Sequence, residues 1–127
     1  LPAGELWLDG GHNPHAAQAM ADTLAARAPT RPVHLILGMQ GPRDAAATLA
    51  PFAGRAAGLV AVPVPGEAAS RPTAELAAAA SAHGIPARQA ADVETALREI
   101  ARIAPDARVL IFGSLYLAGA VLARQGG

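Results

Sequence analysis

Lysine is absent from this sequence, and all ten basic residues are arginine. The absence excludes a phosphate-loop lysine, a Schiff-base lysine and a lysine carbamate from the chain. No G-x-x-x-x-G-K-S/T run occurs either. If the chain works with a nucleotide, another polypeptide segment must hold the phosphates. Cysteine is absent too, which excludes disulfides and thiolate metal sites. Aromatic residues make up only 3% of the chain, so its core must be built from Ala, Val, Leu and Ile. Ten acidic residues balance the ten arginines. With no basic run and no interleaved aromatics, a nucleic-acid surface is not expected. No stretch approaches the ~18 uninterrupted apolar residues of a membrane span. The N-terminus lacks a basic segment followed by an apolar one, so no signal peptide is read and a cytoplasmic location is expected.

What is present suits a single globular domain. The chain has 127 residues, 52% hydrophobic and 16% charged. That is enough apolar material for a real core, and too little length for two comfortable domains. The stretch around which the rest is organised is Leu6-Trp7-Leu8-Asp9-Gly10-Gly11-His12-Asn13-Pro14-His15. An apolar run ends at an acid, turns on two glycines and enters an alanine-rich segment. Asn13 can cap that segment as a helix, and Pro14 suits a first helical position. Asp9 and His12 then fall at the carboxyl end of a strand, beside a helix N-terminus, which is where α/β proteins place their sites. Asp-Gly-Gly is also an ordinary turn, and Asn-Pro an ordinary helix start.

Along the chain, strands and helices alternate. Residues 5–8 read as the first strand, ending at Asp9, and 14–27 as a helix with a stripe of Ala16, Ala17, Met20 and Leu24. Val33–Leu37 reads as a second strand, with His34 on a strand face or in the core. Gly38-Met39-Gln40-Gly41-Pro42-Arg43-Asp44 is a second loop of interest, leading into a helix over 43–52. Its Arg43 offers a charge to a phosphate or carboxylate, or stands simply solvated. Residues 58–62 read as a third strand, 62–72 as a surface loop and 73–83 as a helix stopped by Gly84. His83 is read as complementing that helix's dipole. A short strand over 87–90 follows. Asp92 then caps a helix over 93–103, with Val93, Leu97, Ile100, Ala101 and Ala104 as its buried stripe. Val109–Phe112 reads as a fifth, buried strand. Gly113-Ser114 leads to a last helix, where Ser114 serves as an N-cap or offers its hydroxyl to a ligand carboxylate.

Strict alternation implies an α/β, Rossmann-like three-layer domain. Its sheet is mostly parallel, of about five to six strands, with helices on both faces. The Asp9/His12, Gly38–Asp44 and Gly113-Ser114 loops all follow strands, so a parallel sheet brings them to one edge.

With those loops quoted, the chain resembles the C-terminal domain of the folylpolyglutamate synthase/dihydrofolate synthase family, within the wider Mur-type ATP-dependent amide ligases. Leu8-Asp9-Gly10-Gly11-His12-Asn13-Pro14-His15-Ala16 is similar to that family's L-D-G-A-H-N-P-x-A. Gly38-Met39 and Asp44 match its G-M-x-x-D-K-D loop, and Gly113-Ser114-Leu115-Tyr116 its G-S-L-Y/F ending. The second motif departs from the pattern, with Pro42 where the family has Asp and Arg43 where it has Lys. The resemblance covers essentially the whole chain.

The resemblance implies that residues 1–127 form one C-terminal-type domain of a longer ligase, whose ATP-binding P-loop domain lies outside this chain. ATP would convert a substrate carboxylate to an acyl phosphate, and the glutamate amine would attack it. ATP and Mg²⁺ would be bound mainly by the central domain. The substrates would be glutamate with dihydropteroate or folate, and the partner the protein's own N-terminal domain. Carried over by position, Asp9 would contact the nucleotide, His12 would line the cleft as a catalytic and glutamate-binding residue, and Ser114 would help bind glutamate. No metal ligand is assigned to this chain, and alone it is expected to be inactive. Two other readings stand beside this one. A Mur cell-wall peptide ligase shares Asp…His-Asn-Pro but seldom the Gly-Ser-Leu-Tyr ending, and a non-catalytic Rossmann-like binding module would lack a P-loop partner. A plain dinucleotide-binding domain is disfavoured, since no G-x-G-x-x-G follows a strand.

Overall fold

The computed structural model describes residues 5–9, 14–27, 33–39, 45–64, 72–105 and 107–112. Five strands form one sheet: β1 (Glu5–Asp9), β2 (Val33–Leu37), β3 (Gly58–Ala61), β4 (Ala87–Gln89) and β5 (Arg108–Phe112). Four α-helices connect them: α1 (Pro14–Arg27), α2 (Ala45–Leu49), α3 (Thr73–Ala82) and α4 (Val93–Ile103). Every strand pairing is parallel, and the spatial order is β1-β5-β2-β3-β4. Fold class and sheet type agree with the sequence reading, and the strands among the described residues number five, at the lower end of the expected range.

The strand order and the two core layers explain each other. From β1 through β4 the chain moves across the sheet in one direction. From β4 to β5 it returns, and β5 inserts between β1 and β2. Right-handed crossovers in opposite directions place their helices on opposite faces. Accordingly, Ala21 of α1, Ala45 and Leu49 of α2, and Leu76 and Ala80 of α3 pack with Leu35, Leu37, Leu59, Ala61 and Leu110 on one face. Val93, Ala96 and Ile100 of α4 pack with Ile36, Val60, Val109 and Ile111 on the other. Strands covered on both sides read as continuous apolar runs, which is why Val33–Leu37 and Val109–Phe112 stand out in the sequence.

Local chemistry sets the helix ends. Asp92 caps α4, its Oδ1 accepting from the Thr95 N–H at 2.7 Å. α3 ends in a Schellman arrangement: the Ile85 N–H donates to Ala80 O and the Gly84 N–H to Ser81 O. This turn requires a positive φ at Gly84, +74°, which glycine adopts without strain.

Several expectations need correction. Of the helix expected over 43–52, residues 43 and 44 lie outside the described residues, Ala45–Leu49 is α-helical, and Ala50–Phe52 tightens into a 3₁₀ turn. Pro51 lies in that turn; its ring and missing N–H disfavour continuing the α-helix. In α4 the buried positions are Val93, Ala96 and Ile100; of the expected stripe, Leu97 and the C-cap Ala104 pack only partly against the core and Ala101 is half-buried. Arg108, left outside the expected fifth strand, begins β5 and is 2% exposed, the largest fully buried side chain described. The expected last helix after Ser114 lies outside the described residues.

Candidate functional site

The register of the three central strands builds the candidate site. Asp9 closes β1 opposite Phe112, and Phe112 in turn lies opposite Leu37. Three contiguous strands therefore end at one level. Strands in a sheet lie about 4.8 Å apart, so the Asp9 and Leu37 backbones are roughly 10 Å from each other across β5. In the sequence each of these end residues is followed by a glycine: Gly10, Gly113 and Gly38. The three motif-bearing loops thus start side by side at the carboxyl edge of the sheet. α1, α2 and α3 each follow a parallel strand and begin at that same edge, with their positive dipole ends toward it.

The anchoring of the second loop is visible in detail. Met39 is 0% exposed and belongs to the core cluster of Ala21, Leu35, Leu37, Leu49 and Phe52. It continues the alternation of Val33, Leu35 and Leu37, all buried on the face covered by α1–α3. The Val62 N–H donates to Leu37 O at 3.0 Å, extending the pairing of β2 and β3 past their last ladder residues. Of the Gly-Met pair in this loop, the methionine is thus a packing residue that holds the loop's first turn against the core. Sequence reading missed this; the signal was the unbroken alternation past Leu37.

Among the sequence-predicted site residues, the backbone of Asp9 is described at the end of β1, but its side chain is not. His12, Arg43 and Ser114 lie outside the described residues, as does Asp44. The structure therefore brings the ends of β1, β5 and β2, at Asp9, Phe112 and Leu37, to one edge. The described residues contain no group of three or more His, Asp or Glu that could hold a metal ion. None of the described helices is long and apolar enough to cross a membrane.

His34 and His83 lie elsewhere. His83, the C-cap of α3, points its Nε2 at Ala46 O, 2.8 Å away, and so ties α3 to α2. This cross-helix tie is a different role from the dipole partner read in the sequence. His34 is partly buried on a face of β2, at the opposite, amino edge of the sheet. Burial lowers its pKa below the ordinary 6.5, and the Arg88 charge lowers it further.

Comparison with known proteins agrees with this architecture. Residues 3–115 match the family model described as "Mur ligase, glutamate ligase domain". Among solved structures, folylpolyglutamate synthase from Mycobacterium tuberculosis, complexed with ADP and AMPPCP, is 27% identical with a TM-score of 0.81. The match covers 96% of this chain and 30% of that one. Bifunctional folylpolyglutamate synthase/dihydrofolate synthase from Yersinia pestis, with Mn, AMPPNP and L-glutamate bound, is 32% identical with a TM-score of 0.80. There the match covers 100% of this chain and 32% of that one. The same enzyme complexed with AMPPNP and Mn gives 32% identity, a TM-score of 0.80 and coverage of 96% and 28%. The chain thus spans less than a third of the length of the structures it matches. A comparison with curated protein sequences found no match.

Proposed function

The chain belongs to the Mur ligase family's glutamate ligase domain, and from that premise we propose that residues 1–127 are the C-terminal domain of a dihydrofolate synthase/folylpolyglutamate synthase. The observation that carries the reading is the level alignment of Asp9, Phe112 and Leu37, which starts the three motif loops from adjacent strands. Relatives solved with ADP, AMPPCP, AMPPNP and L-glutamate support a site for nucleotide and amino acid in the assembled enzyme.

In this reading the full-length protein is an ATP-dependent carboxylate–amine ligase. The γ-phosphoryl group of ATP passes to a carboxylate of dihydropteroate or folate, and ADP leaves. The glutamate amine attacks the acyl carbon, the bond from that carbon to the phosphate oxygen breaks, and amide, phosphate and a proton result. A chain without lysine and without a phosphate loop does not cradle triphosphate, so the phosphates and Mg²⁺ are assigned to a P-loop domain of the full-length protein. Asp9, at a strand end, suits ribose hydroxyls, which a carboxylate accepts from well. It suits bare phosphates poorly, because the charges repel. His12 lines the cleft, where a neutral imidazole can take the proton of the attacking amine. Ser114 and the backbone N–H groups after it receive the glutamate carboxylate, and Arg43 adds a cation at the same edge. The protein works in the cytoplasm, in folate biosynthesis and one-carbon metabolism.

The test is glutamate-dependent phosphate release from ATP by the full-length protein, measured separately with dihydropteroate and with a reduced folate. Release with either acceptor supports the reading and names the reaction. Release only with a cell-wall nucleotide acceptor replaces it with a Mur peptide ligase. The 127-residue chain alone is expected to release no phosphate; glutamate-dependent ATP cleavage by it would refute the assignment of the phosphate cradle to another domain.

A further inference from the structure

Away from the carboxyl edge, the described surface holds a concavity of about 190 Å³ at the amino edge, between the sheet and α4. β2 rises about 3.3 Å per residue, so its length sets roughly 13 Å between the two edges. We propose that this groove is a second small-molecule site, shaped and charged for a compact aliphatic amino acid.

Gly58 creates the floor. It lies opposite His34 in the register, and a Cβ at position 58 would fall 3.2 Å from His34 Nδ1 and 3.6 Å from Pro86 O. The imidazole leans over the space that a side chain would take. The strand backbone beneath is already paired, the Leu59 N–H donating to Pro86 O at 2.8 Å. Recognition therefore falls to side chains. Ile100 and Ile103 of α4 supply an apolar wall. Ile103 is 50% exposed, the one large hydrophobic described residue left so open. Arg88 from β4 and Glu99 from α4 supply opposite charges on the same groove. On α4 the described ion pair is Arg98 with Glu94, which leaves Glu99 aside. No described residue hydrogen-bonds the His34 ring.

The charges choose the ligand. A simple carboxylate meets Arg88 and is repelled by Glu99; a simple amine meets Glu99 and is repelled by Arg88. A neutral apolar molecule would desolvate both without satisfying either. A zwitterion satisfies both with charge-assisted hydrogen bonds and lays its alkyl group on Ile100 and Ile103. A cavity of about 150 Å³ takes a benzene-sized molecule, so this space, of about 190 Å³, admits a valine- or leucine-sized one. Glutamate fits poorly, because its second carboxylate would face the isoleucines.

Amide nitrogen–proton NMR of the 127-residue chain tests this directly, with L-leucine, isocaproate, isoamylamine and L-glutamate as probes. Leucine is expected to shift the amides of Gly58, Val60, Arg88 and Ile103 saturably, at about millimolar concentration. Isocaproate, isoamylamine and glutamate are expected to bind about tenfold more weakly or worse, as is leucine to the Arg88→Gln and Glu99→Gln variants. Both variants replace side chains on the surface of the groove, and their unperturbed spectra serve as the control for folding. No saturable shift with leucine, equal binding of isocaproate, or unchanged leucine binding by the variants would overturn the proposal. The readout is binding without turnover, so its failure is separate from any failure of the ligase assignment.

Discussion

Replacing Met39 with alanine separates packing from chemistry in the second motif loop. The side chain is fully buried among Ala21, Leu35, Leu37, Leu49 and Phe52. Truncation removes its transfer free energy and leaves a cavity, together costing about 3 kcal/mol within a range of roughly 2–5. A domain of 127 residues is expected to have on the order of 6–19 kcal/mol of stability. The loss is therefore a large share of the total without abolishing folding. With a urea m-value of about 1.5 kcal/mol/M, the unfolding midpoint falls by about 2 M, and the melting temperature by on the order of 10 °C. Met39→Leu conserves volume and is expected to cost less than about 1.5 kcal/mol. In the full-length protein the leucine variant should keep its glutamate-dependent phosphate release. An alanine variant that unfolds at the wild-type midpoint would refute the packing role. A leucine variant that folds normally but loses activity would show that the thioether acts in the site.

Two further predictions concern α4 and the amino edge. Asp92→Ala removes the acceptor for the Thr95 N–H and is expected to cost about 1 kcal/mol, seen as a lower melting temperature by circular dichroism, whereas Asp92→Asn keeps an acceptor and should lose little; an unchanged melt for the alanine variant would contradict the cap. His34 has a folded-state pKa lowered by burial and then by Arg88, so the unfolded chain binds its proton more tightly. Its contribution to stability is thus complete above the ordinary value of 6.5 and is lost as pH falls through that value toward the folded-state pKa. Urea unfolding at a series of pH values should show this slope in wild type and its reduction in His34→Gln. Proton NMR should show the His34 titration moving upward in Arg88→Gln, and no movement would remove Arg88 as a cause.

Much of the fold was legible because its strands are short apolar runs bounded by Gly and Pro, and its helices begin at caps such as Asp92. The boundaries of β2, α1 and α4 follow from that punctuation alone. The insertion of β5 between β1 and β2 was not legible, since no local residue encodes which strands become neighbours. Yet that insertion is what aligns Asp9, Phe112 and Leu37. Alanine-rich helices also hide their buried face: Ala21 and Ala96 are in the core, while Ala46 and Ala74 are exposed, and composition gives no contrast between them. The three motif loops were found from their residue types, but Met39 was grouped with them although it serves the core. The amino-edge groove was invisible because His34, Gly58, Arg88 and Glu99 are far apart in the chain and resemble surface residues until the sheet assembles them.

In the function proposed above, the carboxyl edge ending at Asp9 receives the nucleotide of a glutamate ligase. The most direct measurement is the initial rate of phosphate release by the full-length protein, wild type and Asp9→Ala, across ATP and glutamate concentrations. A lost hydrogen-bonding carboxylate at the nucleotide should lower kcat/KM for ATP by roughly 10- to 100-fold. The KM for glutamate should change much less, while the variant's melting temperature without ligand stays near that of wild type. Equal kcat/KM for ATP in a folded Asp9→Ala protein would contradict the claim and move the nucleotide away from this edge.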